Sequence, residues 1–203
     1  MTPARSGGGL LPSDQMFILY AILAGLLIGF LLGGRLESIA ETRFRWGWLA
    51  ILALAIQLVL FSPLAGGLGD AARWIYVAST ALVVIVVLAN LRLPGLPIVL
   101  LGALSNLAAI VANGGSMPAS PAALAALGGT VNNGPTNSIV VEHPALEPLT
   151  DIFAMPGWLP LANIFSVGDV LIGLGAAVAI AAAMHGRGVP APSPGATLEA
   201  EPA

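Results

Sequence analysis

No cysteine occurs in the 203 residues, which excludes a disulfide framework, thiolate chemistry and any cysteine-ligated metal site. Lysine is missing as well, so seven arginines carry all the fixed positive charge. Charged residues make up 8% of the chain, against about 25% in an ordinary soluble domain. A net charge of −3 without a basic cluster argues against nucleic acid as a partner. The two histidines follow no regular ligand spacing, and neither a metal nor a cofactor is expected.

What is abundant is apolar: 57% of the residues are hydrophobic. Five stretches are long and apolar enough to be read as helices crossing about 30 Å of hydrocarbon, which takes roughly 17–25 residues each. They are Met16–Leu32, Trp48–Leu64, Trp74–Asn90, Leu96–Ala112 and Val167–His185. The first exceeds the roughly 7–15 residues of a signal-peptide core and reads as a retained span. In the fourth, Pro97 suits a first helical turn. Pro94, Ser105 and Asn106 leave open a re-entrant segment instead. The expected fold is therefore all-α, a polytopic membrane bundle of about five transmembrane helices in a single domain over residues 1–185. An outer subdomain, 113–166, lies between the fourth and fifth helices, and residues 186–203 are a disordered tail rich in Pro, Gly and Ala.

Arginine placement orients the bundle, because positive residues in short loops stay in the cytoplasm. Arg35, Arg43, Arg45, Arg92 and Arg187 fall on one side, Arg5 and Arg73 on the other. The N-terminus is thus expected outside and the C-terminus in the cytoplasm. The segment 113–166 contains neither Lys nor Arg and exceeds the length of a plain connection. Within it, Ser120-Pro121 before "AALAAL" and Gly128-Gly129 reads as a capped short helix. "SIVVEHP" (138–144) reads as a brief strand, and "DIFAMPGWLPLANIF" (151–165) as an interfacial stretch.

Several polar or small residues could carry function. Gly25, Gly29 and Gly33 share one helix face, for packing inside the bundle or against a membrane partner. Gln57, Asn90 and Asn106 need hydrogen-bond partners within the bundle, or else line a pathway. Asp169 lies three residues into the last span, where an acid is by default a functional candidate. Ser166-Val167-Gly168-Asp169 equally fits a capping box, with the carboxylate receiving the Ser166 N–H. Asn113, Ser116, Met117 and Asn163, with Asp169, form the candidate binding set beneath the outer segment.

"NGGSMP" (113–118) and "FSVGDVLI" (165–172) resemble a family of small bacterial multi-spanning membrane proteins of unassigned activity. The resemblance implies the bacterial cytoplasmic membrane. Phe165-Ser166-Val167-Gly168-Asp169 and Gly102-Ala103-Leu104-Ser105-Asn106 also resemble two motifs of the lipoprotein signal peptidases, which are membrane aspartyl proteases. Where that pattern has its first catalytic Asp-Arg, this chain has Ala109-Ile110. Aspartyl chemistry requires two carboxylates sharing a proton, so Asp151 or Glu142 would have to join Asp169. The favoured expectation is a non-enzymatic accessory subunit or lipid- or peptide-binding membrane protein. A distant hydrolase is the alternative, and a small transporter is disfavoured for want of buried charge.

Overall fold

The computed structural model describes residues 13–60, 62, 67–127, 138–141, 143–160 and 162–187. Among them the chain forms helices α1 (Ser13–Leu31), α2 (Leu36–Glu41), α3 (Gly47–Leu60), α4 (Ala71–Leu88), α5 (Leu96–Ala112), α6 (Pro121–Ala126) and α7 (Val167–Ala183). Four short strands accompany them: β1 (Met117–Ala119), β2 (Ser138–Val140), β3 (Phe153–Ala154) and β4 (Ile164–Phe165). The protein is mostly helical, and the five apolar stretches are α1, α3, α4, α5 and α7. Among the described residues, α4 alone is long and apolar enough to cross a membrane by length and composition. The apolar parts of the others, Phe17–Leu31, Gly47–Leu60, Leu96–Ala112 and Val167–Ala183, are shorter.

Local chemistry explains the boundaries. α3 ends at Leu60, short of the expected Leu64, and Ser62 precedes Pro63, a position pushed away from helical geometry. The fourth stretch is one continuous helix rather than a broken re-entrant segment, with Pro97 in its first turn. The short helix expected after Ser120 forms as α6 with Pro121 in its first turn, although the Ser120 side chain makes no capping bond.

α7 is the centre of the bundle, packed between α1, which runs parallel to it, and α5, which runs antiparallel. Glycines set both distances. A Cβ on Gly25 of α1 would stand 2.7 Å from the Cα of Ala177, and one on Gly175 of α7 would stand 2.7 Å from the carbonyl oxygen of Gly95. Neither spacing admits a side chain, so backbones touch where two larger residues would hold them apart. Gly29 likewise receives the buried side chain of Met184. Gly33, the third glycine of the stripe, lies past the end of α1 at φ +83 and meets open space. The stripe is thus used within the chain at its first two positions. Between α3 and α4, Gln57 Nε2 donates to Ser79 Oγ at 3.2 Å, the interhelical bond its amide required.

The outer segment adds four short strands to the mostly helical fold. β1 and β2 pair in parallel and β3 and β4 antiparallel, with a further bridge between Ala119 and Asp151. Residues that leave a helix with no helical continuation satisfy their backbone groups this way. β2 is the brief strand expected in "SIVVEHP". Phe165 stacks on Phe17 at 4.6 Å between ring centroids, which ties this segment to the start of α1. Gly128-Gly129, residues 130–137, Glu142 and residues 188–203 of the tail lie outside the described residues.

Candidate functional site

Asp169 sits in the capping box that its sequence context suggested. Its N–H donates to Ser166 Oγ at 3.0 Å, and its Oδ2 receives the Ser166 N–H at 2.9 Å. Two of the orphan donors at the start of α7 are thereby satisfied. The second carboxylate oxygen, Oδ1, accepts from Asn106 Nδ2 of α5 at 2.8 Å. Ser166 Oγ lies 2.9 Å from both Asp169 Oδ2 and Asn106 Oδ1, so its single proton serves two acceptors. Ser166 and Asp169 are buried at 0% and 2% exposure. This is a buried, cross-helix network.

Two glycines make room for it. A Cβ on Gly168 would overlap Asn106 Oδ1 and stand 2.6 Å from Asn106 Cγ, and one on Gly102 would strike the backbone of Gly168 and Ile172. Gly102-x-x-x-Asn106 on α5 and Ser166-x-Gly168-Asp169 on α7 therefore form one interlocking unit. The structure brings the stretches 102–106 and 165–169 together, and beside the Asp169 carboxylate it places an amide and a hydroxyl. Among the described residues the hydrogen-bond partners of Asp169 are Ser166 and Asn106, and neither is a carboxylate. Asp151 is also buried, and its backbone pairs with Pro118 and Ser120: its N–H donates to the Pro118 carbonyl and its own carbonyl accepts the Ser120 N–H. Glu142 lies outside the described residues. No group of three or more His, Asp or Glu is placed to hold a metal among the described residues.

The candidate binding residues are distributed rather than convergent. Asn113, at the end of α5, donates through Nδ2 to the carbonyls of Ala109 and Ala145, each at 2.8 Å, and accepts the Ala145 N–H at 2.9 Å. Its amide thus acts as a piece of strand for one residue of the outer segment. Gly114 and Gly115 follow at φ +69 and +88, and the Gly115 N–H closes on the Ile110 carbonyl at 2.9 Å, a helix stop of the left-handed kind. Met117 packs in a core cluster with Leu60, Tyr76, Ala109 and Ile110. Ser116 and Asn163 are buried, and the Asn163 carbonyl accepts the Met155 N–H at 2.8 Å.

The same amide device recurs at the other end of the bundle. Asn90, beyond α4, donates to the Val86 carbonyl at 2.7 Å and to the Arg45 carbonyl at 2.9 Å, and accepts the Arg45 N–H at 2.7 Å. In both places the residue after the clamped one is left-handed: Trp46 at φ +56 and Leu146 at φ +54. These are the two non-glycine residues with positive φ among the described residues. Strain of this kind, on the order of 1–3 kcal/mol per residue, persists only where neighbours over-determine it. The sequence signals for these clamps are bare asparagines at helix ends, and their partners 45 and 32 residues away carry no periodic mark.

A third polar junction joins the ends of α1 and α7. The Arg35 N–H donates to the Met184 carbonyl at 2.8 Å. His185 Nδ1 lies 2.7 Å from the Ala181 carbonyl and Nε2 3.1 Å from the Leu32 carbonyl. Both partners are acceptors, so both bonds form together only when the ring is protonated. The Ala181 carbonyl first, and the Leu32 carbonyl second, push the His185 pKa above its ordinary value of 6.5, against smaller opposing effects of burial and Arg187.

No curated protein and no solved structure matches the chain. A family model does: it spans from the end of α2 into the last turn of α7 and so includes both asparagine clamps and the Asn106–Ser166–Asp169 unit. Matched over residues 41–181, the chain belongs to the family of unknown function DUF5317.

Proposed function

We propose that the chain is a multi-pass protein of the bacterial cytoplasmic membrane, with the N-terminus outside and the C-terminus inside. In this reading α1, α3, α4, α5 and α7 cross the bilayer and the protein works without catalysis, binding lipid or peptide or serving a membrane complex as an accessory subunit. The observation that carries it is the apolar flank of the bundle. Leu27, Leu31, Ile51, Trp74, Leu101 and Leu174 are 54–76% exposed and are spread over all five helices. A water-soluble monomer rarely leaves contiguous apolar patches beyond a few hundred Å². The helices are about 21–28 Å long at 1.5 Å per residue, slightly short of an average hydrocarbon core, which local thinning and the flanking turns accommodate.

Two further observations favour a binding role over hydrolysis. Each oxygen of the Asp169 carboxylate is already engaged, Oδ1 with Asn106 of α5 and Oδ2 with Ser166 at the cap of α7. An apolar groove of about 370 Å³ between α3 and α4, lined by Ala55, Ile56, Val59, Leu60, Leu68 and Ile75, has the chemistry of an acyl-chain site.

The absence of cysteine makes the test direct. With single cysteines and a membrane-impermeant maleimide, Gly157→Cys is expected to label on intact cells and Glu41→Cys only after lysis. The reverse pattern would overturn the orientation, and recovery of the protein in the soluble fraction would overturn the membrane reading. An Asp169→Asn protein that folds normally but loses a hydrolytic activity of the wild type would overturn the non-catalytic reading.

A further inference from the structure

The stretch Arg43-Phe44-Arg45-Trp46-Gly47-Trp48 alternates arginine with aromatic side chains, and the arginines and aromatic rings are all exposed. Arg43, Arg45 and Arg92 have no ion-pair partner among the described residues, whereas Arg35 and Arg73 lie beside Glu37 and Asp70. The guanidinium of Arg45 stands 5.6 Å from the centroid of the Trp46 ring, within cation–π range. Its backbone is fixed, because the buried Asn90 amide holds both the N–H and the carbonyl of Arg45. Trp46 is then forced left-handed while 47% of its surface remains exposed. The clamp and the left-handed step hold Arg45 and Trp46 in one geometry at the surface, and strain that surrounding structure maintains points to a function.

We propose that residues 43–48 form a binding site for the phosphate headgroup of an anionic phospholipid, with Arg43 and Arg45 as the phosphate ligands and Asn90 as the positioning residue. The site rests on the membrane reading above, which puts this end of the bundle at the cytoplasmic leaflet. Guanidinium forks match phosphate oxygens two at a time. Trp46 and Trp48 supply amphipathic rings at the depth where headgroup meets acyl chain. Arg92, two residues beyond Asn90, adds a third cation without an ion-pair partner among the described residues, on the α4–α5 connection that Asn90 ties to Arg45. The occupant is a lipid rather than free phosphate because the cations alternate with exposed rings that only an acyl-bearing ligand would cover.

The test uses the full chain in mild detergent and in vesicles of phosphatidylcholine with or without phosphatidylglycerol. Native mass spectrometry of the wild type is expected to retain phosphatidylglycerol in preference to phosphatidylcholine. Arg43→Gln/Arg45→Gln should reduce that preference by roughly thirtyfold, the order expected for two surface arginines at an anionic headgroup. Arg73→Gln, at the other end, should not change it. Asn90→Ala keeps every charge, so a loss of preference there marks positioning rather than bulk attraction. Should that variant fail to fold by circular dichroism, the double arginine variant decides alone. A wild type that sits in the membrane without preferring phosphatidylglycerol, or a double variant with an unchanged preference, overturns the site and leaves the membrane reading standing. Displacement of the lipid by inorganic phosphate at equal concentration also overturns it, and extraction of the wild type by alkaline carbonate removes both.

Discussion

Replacing Gly168 with alanine sets helix propensity against packing, and the two predict opposite signs. Gly168 lies in the first turn of α7, where the change to alanine gains at most about 1 kcal/mol from backbone propensity alone. The new Cβ, however, would overlap Asn106 Oδ1 and stand 2.8 Å from the Gly102 carbonyl oxygen. Asn106 must leave, which breaks its bond to the Asp169 carboxylate, worth about 1.5–3 kcal/mol for a charged acceptor. Parting α5 from α7 adds an overpacking cost of about 1–3 kcal/mol. The net expectation is a loss of about 2–5 kcal/mol, or on the order of 10 °C in Tm for a chain of this size. Thermal unfolding in one detergent, followed by circular dichroism, measures it. Gly157→Ala is the control: a Cβ there meets nothing within 4 Å, so the change should stay within about 0.5 kcal/mol. A double-mutant cycle locates the cause, because Asn106→Ala should cost much less when Gly168→Ala is already present. A Gly168→Ala protein as stable as the wild type, or more stable, would refute the interlocking of α5 and α7 described here.

The His185 junction should be sensitive to pH. Its folded pKa lies above the unfolded value, so its contribution is complete below about pH 6.5 and declines as pH rises through the folded pKa. His185→Gln should flatten the pH dependence of Tm above pH 6.5, and an identical slope in both proteins would contradict the paired carbonyl bonds. Asn113→Ala removes two hydrogen bonds that hold the outer segment to α5 and one that closes the end of α5, and should lower stability by about 1–3 kcal/mol. Hydrogen exchange should quicken around Ala145 more than in α1, and uniform exchange would argue against a local clamp.

Much of the helical framework was legible because apolar length is a signal carried by many residues at once. The centre of each of the five long helices lies inside the stretch read from sequence, and α5 begins and ends at the expected residues. Ends were read less well, since α3 stops at Leu60 and α1 begins at Ser13. The capping box of Ser166 and Asp169 was legible because both partners lie within four residues. Its third member, Asn106, was visible as an amide needing a partner, but nothing in sequence named Asp169 as that partner. The parallel pairing of β1 with β2, the helix α2 and the left-handed Trp46 and Leu146 were not legible. Each depends on residues far apart in the chain, or on strain that propensity argues against. Sequence order suggested a common groove for the candidate binding set, and the hydrogen bonds of Asn113 and the packing of Met117 were not legible from it.

The two asparagine clamps separate where a connection must arrive from how it travels. An amide offers one donor and one acceptor to one visiting residue, so Arg45 and Ala145 are docked without a neighbouring strand to guide them. Insertions between Leu127 and Ser138 therefore leave the docking point at Ala145 and the helices behind it where they are. A single inserted residue between Ala145 and Glu147, by contrast, would put the wrong backbone at the end of the left-handed step. The outer segment can in this way acquire new length and new surface over evolutionary time while its point of attachment to the bundle stays constant.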